Sequence, residues 1–524
     1  MGTVTSSFNS RYATPVALLL LRHSMKLLLT AFFNGLISFA MAQSEEMRWI
    51  KNYGAERDEK LTSIAPTPDG GFIVAGYTTS KNFMALSHHG GMEGLLIKCD
   101  STGQVEWRKL LGGPGDDGLL SVSPTRDKGY ILCGWQGGAG GDVTDRCWGK
   151  VDGWVVKLDS MAHVQWNRSF GKMYMDMVYS VTETMNGDFL VGHVHEDWII
   201  DSYLYRLSPT GKTKWSKKFN KDYALNIKAV ELTDKSILMC VVERGYKIMR
   251  IDSSGKEVWE KRLGPTTCTY VYGFDVDARG NFALCVRLRK YDTLLKKYLP
   301  CNFFVVKGDK NGKILFEREF GTVREEEPSS ILIRRDGGLA MTGYVEGETD
   351  SIIHGKRDIF LVLCDSSGEN ESYHCIGGSS DESALGVAET ANGNLLVCGQ
   401  SISWDHDMPG TFGLYDGIVF EFGKRSTIVV PVNEDSSEVD TVGTKMTEAL
   451  RLIYPVPATD VLTIEGLEQG EFVTVYNSMG EVMFASEASG GILKIGVLEW
   501  PGGPYIISRR FGTRNEIDKI VKQH

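Results

Sequence analysis

The sequence predicts an all-β protein, in which a seven-bladed β-propeller is followed by a small C-terminal β-sandwich. Glycine supplies 59 of the 524 residues, about 11% against a usual ~7%, which indicates many turns. Asp-Gly and Asn-Gly pairs, which favour tight hairpin turns, follow short apolar segments. A tryptophan also recurs at similar intervals, at Trp49, Trp107, Trp166, Trp215 and Trp259.

Each tryptophan ends one copy of a repeat that contains four short strands. One copy reads GYILCGW, a glycine-rich insert, and then DGWVVKLDSMAHVQW. Four antiparallel strands repeating at roughly 45–60 residues are typical of propeller blades. We count seven copies. The last copy ends at 416–423 without a tryptophan strand, whereas the first is preceded by an unmatched one at 47–50. That strand is predicted to complete the last blade and close the ring; an open solenoid and two sandwiches are the alternatives.

The repeats resemble a bacterial propeller repeat often called SBBP, which is common in secreted proteins of the Bacteroidetes. The resemblance spans residues 47–423. It is carried by LGGPGDD at 111–117, by Gly-Tyr at 76–77 and 343–344, and by DGWVVKLD at 152–159. Copies three to five depart from this pattern. The resemblance implies an architecture more than an activity.

The N-terminus is predicted to be an export signal that covers residues 1–42. Lys26 is followed by an apolar run at 27–42 that ends in Ala-Met-Ala, a small-x-small cleavage pattern. The residues before Met25 are interpreted as an over-long start. A buried N-terminal helix is the alternative. We therefore expect an exported protein.

The C-terminus has the features of a linker followed by a compact domain. Residues 427–450 are acidic and rich in Ser and Thr, which predicts a linker, and 451–524 alternate apolar and polar residues as strands do. This last segment resembles the type A C-terminal sorting domain of the type IX secretion system. Its motif residues are Tyr454, Pro455, Pro457, Gly480, Gly503, Tyr505 and Lys519. Asn is usual in that family where this chain has Val456.

The resemblance implies a cargo protein that the type IX machinery moves across the outer membrane to the cell surface or the medium. It further implies that the sorting domain is removed and that the cargo is attached to surface lipopolysaccharide. A C-terminal sandwich that simply binds a ligand is the alternative.

The ten cysteines of an exported chain raise the question of disulfides. Cys133, Cys240, Cys285 and Cys398 occupy one register of the repeat, where other copies carry small residues. We therefore expect them to be buried thiols in different blades, too far apart to bridge. A pair between Cys268 and Cys301 is left open.

Acidic residues recur just before the first strand of five copies and form the candidate ligand site. They are Asp58, Glu59, Asp116, Asp117, Asp176, Glu325, Glu326, Asp381 and Glu382. In a propeller these carboxylates would surround one mouth of the central channel. There they would suit a cation, with calcium the candidate, or a cationic ligand. The alternative, which the sequence favours, is that they cap strand starts by accepting hydrogen bonds from backbone amides.

The composition and the absence of known motifs argue against several classes of function. A net charge of −10 argues against nucleic-acid binding, and no apolar run reaches the ~18 residues of a membrane span. No catalytic motif occurs, so we predict no catalytic residues and no certain cofactor. Aromatic residues in the inserts, His88, His89, Trp135, Trp148 and Trp404, suit either stacking on a ligand or packing of the loops.

The sequence therefore predicts a secreted or surface-anchored, non-catalytic binding or adhesion propeller with an unknown glycan or protein ligand. One alternative is a hydrolase or lyase that acts on polysaccharide or peptide at the channel mouth. It would require two titrating carboxylates that face one cleft. The second alternative is a structural component of the cell surface.

Overall fold

The structure is a computed structural model. It describes residues 45–424 and 453–522 except 82, 84–85, 87, 197–199, 220–226, 243–244, 264–270, 289–290, 293–295, 348–352, 455–460, 477–481, 498–499, 501–502 and 512–513. The predicted signal peptide and linker lie outside the described residues. The chain divides into two compact units at 428/429, and each is described here by itself.

Short strands make up the first unit. The first seventeen are β1 (Glu45–Asn52), β2 (Glu59–Pro66), β3 (Phe72–Thr78), β4 (Glu93–Cys99), β5 (Val105–Leu111), β6 (Gly118–Pro124), β7 (Tyr130–Gln136), β8 (Asp152–Leu158), β9 (Val164–Phe170), β10 (Met175–Glu183), β11 (Phe189–Glu196), β12 (Ile200–Leu207), β13 (Thr213–Phe219), β14 (Ile227–Glu231), β15 (Ile237–Val242), β16 (Tyr246–Ile251) and β17 (Glu257–Leu263). The next thirteen are β18 (Val271–Val276), β19 (Phe282–Leu288), β20 (Tyr291–Asp292), β21 (Lys297–Tyr298), β22 (Asn302–Gly308), β23 (Ile314–Phe320), β24 (Glu325–Ile333), β25 (Leu339–Glu346), β26 (Arg357–Cys364), β27 (Ser372–Ile376), β28 (Glu382–Glu389), β29 (Leu395–Ser401) and β30 (Asp416–Lys424).

These strands form seven four-stranded antiparallel sheets within the described residues. Six of the sheets are meanders of successive strands, such as β2-β3-β4-β5 and β6-β7-β8-β9, with the short hairpin β20-β21 inserted into one of them. The seventh has the order β1-β30-β29-β28. The all-β, propeller-like fold predicted from the sequence is thus confirmed.

The N-terminal strand completes the last sheet, as the unmatched tryptophan strand predicts. Strand β1 pairs antiparallel with β30 from Glu45 opposite Lys424 to Asn52 opposite Ile418. The indole Nε1 of Trp49 donates a hydrogen bond of 2.9 Å to Glu421 of β30. Strand β30 therefore has hydrogen-bonded neighbours on both sides, and the two ends of the repeat are joined.

Seven hydrophobic clusters hold successive sheets together. Each cluster draws its buried side chains from two consecutive sheets, for example the sheets of β6–β9 and β10–β13. One of them packs Leu61 and Phe72 of the first sheet against Leu396 and Val419 of the last. Because the first and last sheets share a core, the series of sheets closes on itself.

The recurring tryptophan packs each outer strand against the next sheet. Trp166 of β9 lies with its ring 5.8 Å from that of Phe189 in β11. A Cβ at Gly211, in the turn after β12, would approach this indole to 2.9 Å, and the φ of Gly211 is +78°. Only glycine fits such a turn without strain. The same contact joins Trp49 to Gly103 and Trp259 to Gly312, whereas the copy after Trp107 has Ala162 at this turn position.

The second unit is a single hydrogen-bonded sheet of five strands. They are β31 (Ile453–Tyr454), β32 (Val461–Tyr476), β33 (Val482–Gly496), β34 (Gly503–Phe511) and β35 (Arg514–Lys522). Long strands β32 and β33 pair through several bulges, and Leu462, Ile464, Val473 and Val475 of β32 are buried in its core. The predicted C-terminal β region is confirmed, with its strands joined in one sheet.

Replacing a repeat tryptophan is expected to destabilise the first unit. We expect Trp166→Ala to lower the free energy of unfolding by about 3 kcal/mol, because it empties a site between two sheets. Trp404→Ala, at a side chain that is 80% exposed, is the matched control and is expected to change it by less than about 0.5 kcal/mol. Thermal unfolding followed by circular dichroism measures both. Equal losses in the two variants would contradict this packing role.

Candidate binding site at the channel mouth

The last acid of each predicted acidic turn is buried and binds the loop before it. In each of five copies its carboxylate accepts a hydrogen bond from the backbone N–H four residues earlier. The pairs are Glu59 with Ala55 at 2.6 Å, Asp117 with Gly113 at 2.7 Å, Asp176 with Lys172 at 2.9 Å, Glu326 with Thr322 at 3.0 Å, and Glu382 with Gly378 at 2.7 Å. These carboxylates hold the loops that enter the first strands.

A second set of buried carboxylates, which the sequence analysis missed, stands at the start of the third strands. Each accepts a hydrogen bond from a backbone N–H of the insert, again four residues earlier. The pairs are Glu93 with His89 at 2.5 Å, Asp152 with Trp148 at 2.9 Å, Asp358 with His354 at 2.8 Å, and Asp416 with Phe412 at 2.5 Å. The repeated acid in EGLL, DGWV, DIFL and DGIV was the signal available in the sequence.

The two sets of carboxylates meet in pairs between neighbouring sheets. A Cβ at Gly112 would lie 2.6 Å from Asp117 and 2.7 Å from Glu93, so only glycine leaves room for both. Burial, together with the nearby charge of Glu93, raises the pKa of Asp117 to about 6. Burial likewise raises the pKa of Glu59, Glu382, Asp152, Asp358 and Asp416.

Asp176 differs, because two histidines share its carboxylate. Its Oδ1 lies 3.1 Å from His193 Nε2 and 2.6 Å from His195 Nδ1. Although burial opposes the charge, the hydrogen bonds from His193 and from the Lys172 N–H lower the pKa of Asp176 below its usual range. This carboxylate is also committed to contacts inside the protein.

The first acids of the turns each contact a different partner. Asp116 accepts a hydrogen bond of 2.9 Å from the Met92 N–H, and Asp58 accepts one of 3.2 Å from the Tyr415 N–H. Glu325 forms a 2.7 Å ion pair with Arg287. Within the part of the chain that the structure describes, no group of three or more His, Cys, Asp or Glu side chains is placed to hold a metal ion. Calcium binding by these acids stays a prediction.

A channel runs along the first strands of all seven sheets. Strands β2, β6, β10, β14, β18, β24 and β28 all line a cavity of about 460 Å³, and the same strands line a second cavity of about 310 Å³. We call the larger cavity the channel mouth. Of the predicted ligand-binding acids, Asp381 and Glu382 line it, whereas Asp58, Glu59, Asp116 and Asp117 do not.

Four tyrosines and several charged groups line the channel mouth. The tyrosines are Tyr179, Tyr272, Tyr344 and Tyr415, and the charged groups include Lys60, Glu327, Arg357 and Asp381. The hydroxyls of Tyr272 and Tyr344 donate to Glu327 over 3.2 and 3.0 Å. Burial and the adjacent Glu327 raise the pKa of Tyr344 to about 12. Sequence analysis did not single out these tyrosines as ligand residues, because they come from separate copies and only Tyr344 belongs to a repeated motif, the Gly-Tyr pair at 343–344.

The inserts present aromatic side chains to solvent beside the loops that the carboxylates hold. Trp148 is 61% exposed, Trp404 80% and Phe412 72%. Trp135, by contrast, packs against Tyr77 with 5.6 Å between ring centres. Trp135 therefore packs within the protein, whereas stacking of the exposed Trp148 and Trp404 on a ligand stays a prediction.

The motif residues of the C-terminal unit are only partly described. Tyr454 lies in β31, Gly503 and Tyr505 in β34, and Lys519 in β35. Pro455, Pro457 and Gly480 lie outside the described residues. The cysteines the structure describes are free thiols, with Cys133, Cys240, Cys285 and Cys398 buried between sheets; Cys268 falls outside those residues.

Residues 452–523 match a family described as the secretion system C-terminal sorting domain. The chain is therefore a cargo of the type IX secretion system with a propeller-like all-β fold, and it is exported to the cell surface or the extracellular space. No curated protein matches the sequence. No described helix is long and apolar enough to cross a membrane. The resemblance of the repeats to SBBP stays a prediction.

Several solved structures are similar to this chain at low identity. A protein of unknown function from Bacteroides caccae is 11% identical over 59% of this chain and 91% of its own, with a TM-score of 0.34. One from Dyadobacter fermentans is 10% identical over 73% and 99%, with a TM-score of 0.40. PorZ, an essential bacterial surface component of the type IX secretion system of Porphyromonas gingivalis, is 10% identical over 90% and 71%, with a TM-score of 0.24. These values carry no argument about activity.

The buried Glu326 is expected to make stability depend on pH. Its Oε2 is buried without a hydrogen-bond partner, as is Oδ1 of Asn302, and both flank Gly321. Burial raises the pKa of Glu326 to about 7. Between pH about 4.5 and 7 the folded protein keeps a proton that the unfolded chain has released, so stability falls as the pH rises.

Glu326→Gln is expected to remove that pH dependence, because its amide can donate to Asn302 at every pH. At pH 8.5 we expect a gain of about 1–3 kcal/mol over the unmodified protein. Urea unfolding at pH 5 and pH 8.5 measures the difference. Glu317→Gln, at an exposed position on β23, is the control and should change neither value. A loss of stability at pH 8.5 in Glu326→Gln would contradict the assignment.

Proposed function

We propose that the protein is a secreted or surface-anchored, non-catalytic binding protein of the adhesin or ligand-capture kind. Its ligand, a glycan or a segment of protein, binds at the channel mouth. The observation that carries the proposal is the mouth itself, a cavity of about 460 Å³ lined by four tyrosines together with lysine, arginine and acid side chains. Cavities of this size with aromatic walls and a few polar groups are typical of ligand sites.

Display on the cell supports the same role. A C-terminal sorting domain brings the protein to the cell surface or the medium, where type IX machinery and, after sorting, surface lipopolysaccharide are its expected partners. The inserts present the exposed Trp148, Trp404 and Phe412 to solvent. Aromatic side chains of this kind stack on sugar rings or pack against protein.

The carboxylates of the mouth favour binding over hydrolysis. Glu327 accepts hydrogen bonds from two tyrosines and lies 3.1 Å from Arg287, so its carboxylate is already occupied by contacts inside the protein. Glu382 is buried and holds the loop at Gly378. A hydrolase needs one acid to give up and regain a proton beside a second one. The hydrolase alternative stays a prediction, to be tested with polysaccharide and peptide substrates.

Binding screens on the full-length chain test the proposal. We expect specific retention on a glycan or matrix-protein array, measured with calcium and again with chelator. Tyr415→Ala, which removes one wall of the mouth, is expected to weaken the array ligand about tenfold. Tyr298→Ala, at a tyrosine that is 60% exposed and absent from the mouth lining, is the matched control. A blank array in both conditions, or equal binding by the two variants, would contradict the proposal.

A further inference from the structure

The channel contains a ring of small residues that is interrupted by one lysine. In each sheet, one residue of the first strand pairs with the second-strand residue that occupies the same position in every repeat. These residues, here named the inner ring, are Ser63, Ser121, Ser180, Lys228, Gly273, Ser330 and Gly386. Six are serine or glycine. Lys228 alone carries a charge, and its place in the ring follows from strand pairing rather than from any motif.

Lys228 and Lys60 both reach the same space from different strands. Lys228 of β14 lines both cavities of the channel, and Lys60 of β2 lines the channel mouth. Among the described residues, neither amine has a hydrogen bond or an ion pair. Burial lowers the pKa of both side chains. An ammonium group taken out of water without a partner costs free energy that a bound anion would recover.

Two of the acids in the channel, Asp275 and Glu327, are already engaged. Among the acids, Asp275 has the largest electrostatic influence on Lys228. Its carboxylate accepts a 2.7 Å hydrogen bond from the Ile333 N–H. Glu327 is held by two tyrosines. Arg357 at the rim forms a 3.1 Å ion pair with Glu346, and Asp381 is a further acid of the mouth lining. Among the described lining residues, the cationic groups left for a ligand are therefore the two lysines.

We propose that the channel mouth binds a sugar that carries a carboxylate, with the carboxylate held by Lys228 and Lys60 and the sugar ring set against the mouth tyrosines. This deepens the proposed function and rests on it. The tyrosines supply ring faces on which a sugar ring can stack. Lys228 lines both cavities, so a carboxylate bound to it would lie deeper in the channel than the sugar ring.

Calorimetry on the full-length chain tests this with D-glucuronate, D-glucose and acetate as probes. We expect glucuronate to bind at least tenfold more tightly than glucose or acetate, since only glucuronate joins the ring to the charge. Lys228→Ser, which restores the residue of the other copies, and Lys60→Ser are each expected to weaken glucuronate at least tenfold. Lys256→Ser, at an exposed turn lysine, is the control and should leave binding unchanged.

Two results would overturn the inference. One is glucuronate binding no tighter than glucose or acetate, including no binding of any probe. The other is unchanged glucuronate affinity in Lys228→Ser, provided its melting temperature is not below that of the unmodified protein. If array ligands of the full-length chain are retained by Lys228→Ser, the proposed function stands and only the acidic-sugar site fails. A blank array instead removes the proposed function itself.

Discussion

Buried carboxylates that hold loops are the constraint on which the rest of the first unit depends. The start of a strand leaves the amides of the preceding loop without sheet partners. An acid at the strand start accepts those hydrogen bonds, as Asp117 does for Gly113 and Glu93 for His89. Nine such contacts recur around the unit. They set the positions of the loops and inserts that surround the mouth.

Because many of the acids are used in this way, the charges that line the channel do not follow the net charge of the chain. A chain with a net charge of −10 would be expected to attract cations. Its buried acids, however, face loops and one another at positions such as Gly112, while Lys60 and Lys228 face the cavity. The global charge of a protein governs its solubility and encounter with partners, whereas the ligand site depends on which charges are unpaired.

The sequence predicts the fold well and the site only in part. Tryptophans such as Trp166 and glycines such as Gly211 recur because every copy needs the same contact between sheets, so a repeat reveals them. The acids recur as well, but a pattern cannot tell whether a carboxylate faces a loop or the solvent. Lys228 and Tyr272 could not be found, because each copy contributes a different residue type to the channel and no motif marks the position.

Hydrogen–deuterium exchange on the full-length chain is the most direct test of these loop-holding carboxylates. The amides to follow are those of Ala55, Gly113, Lys172, Thr322 and Gly378, compared with the amides of the exposed loop residues Met173 and Val323. The account predicts that the five exchange at least about tenfold more slowly, although they lie in loops. Exchange of all five at the rate of the two exposed residues would contradict it.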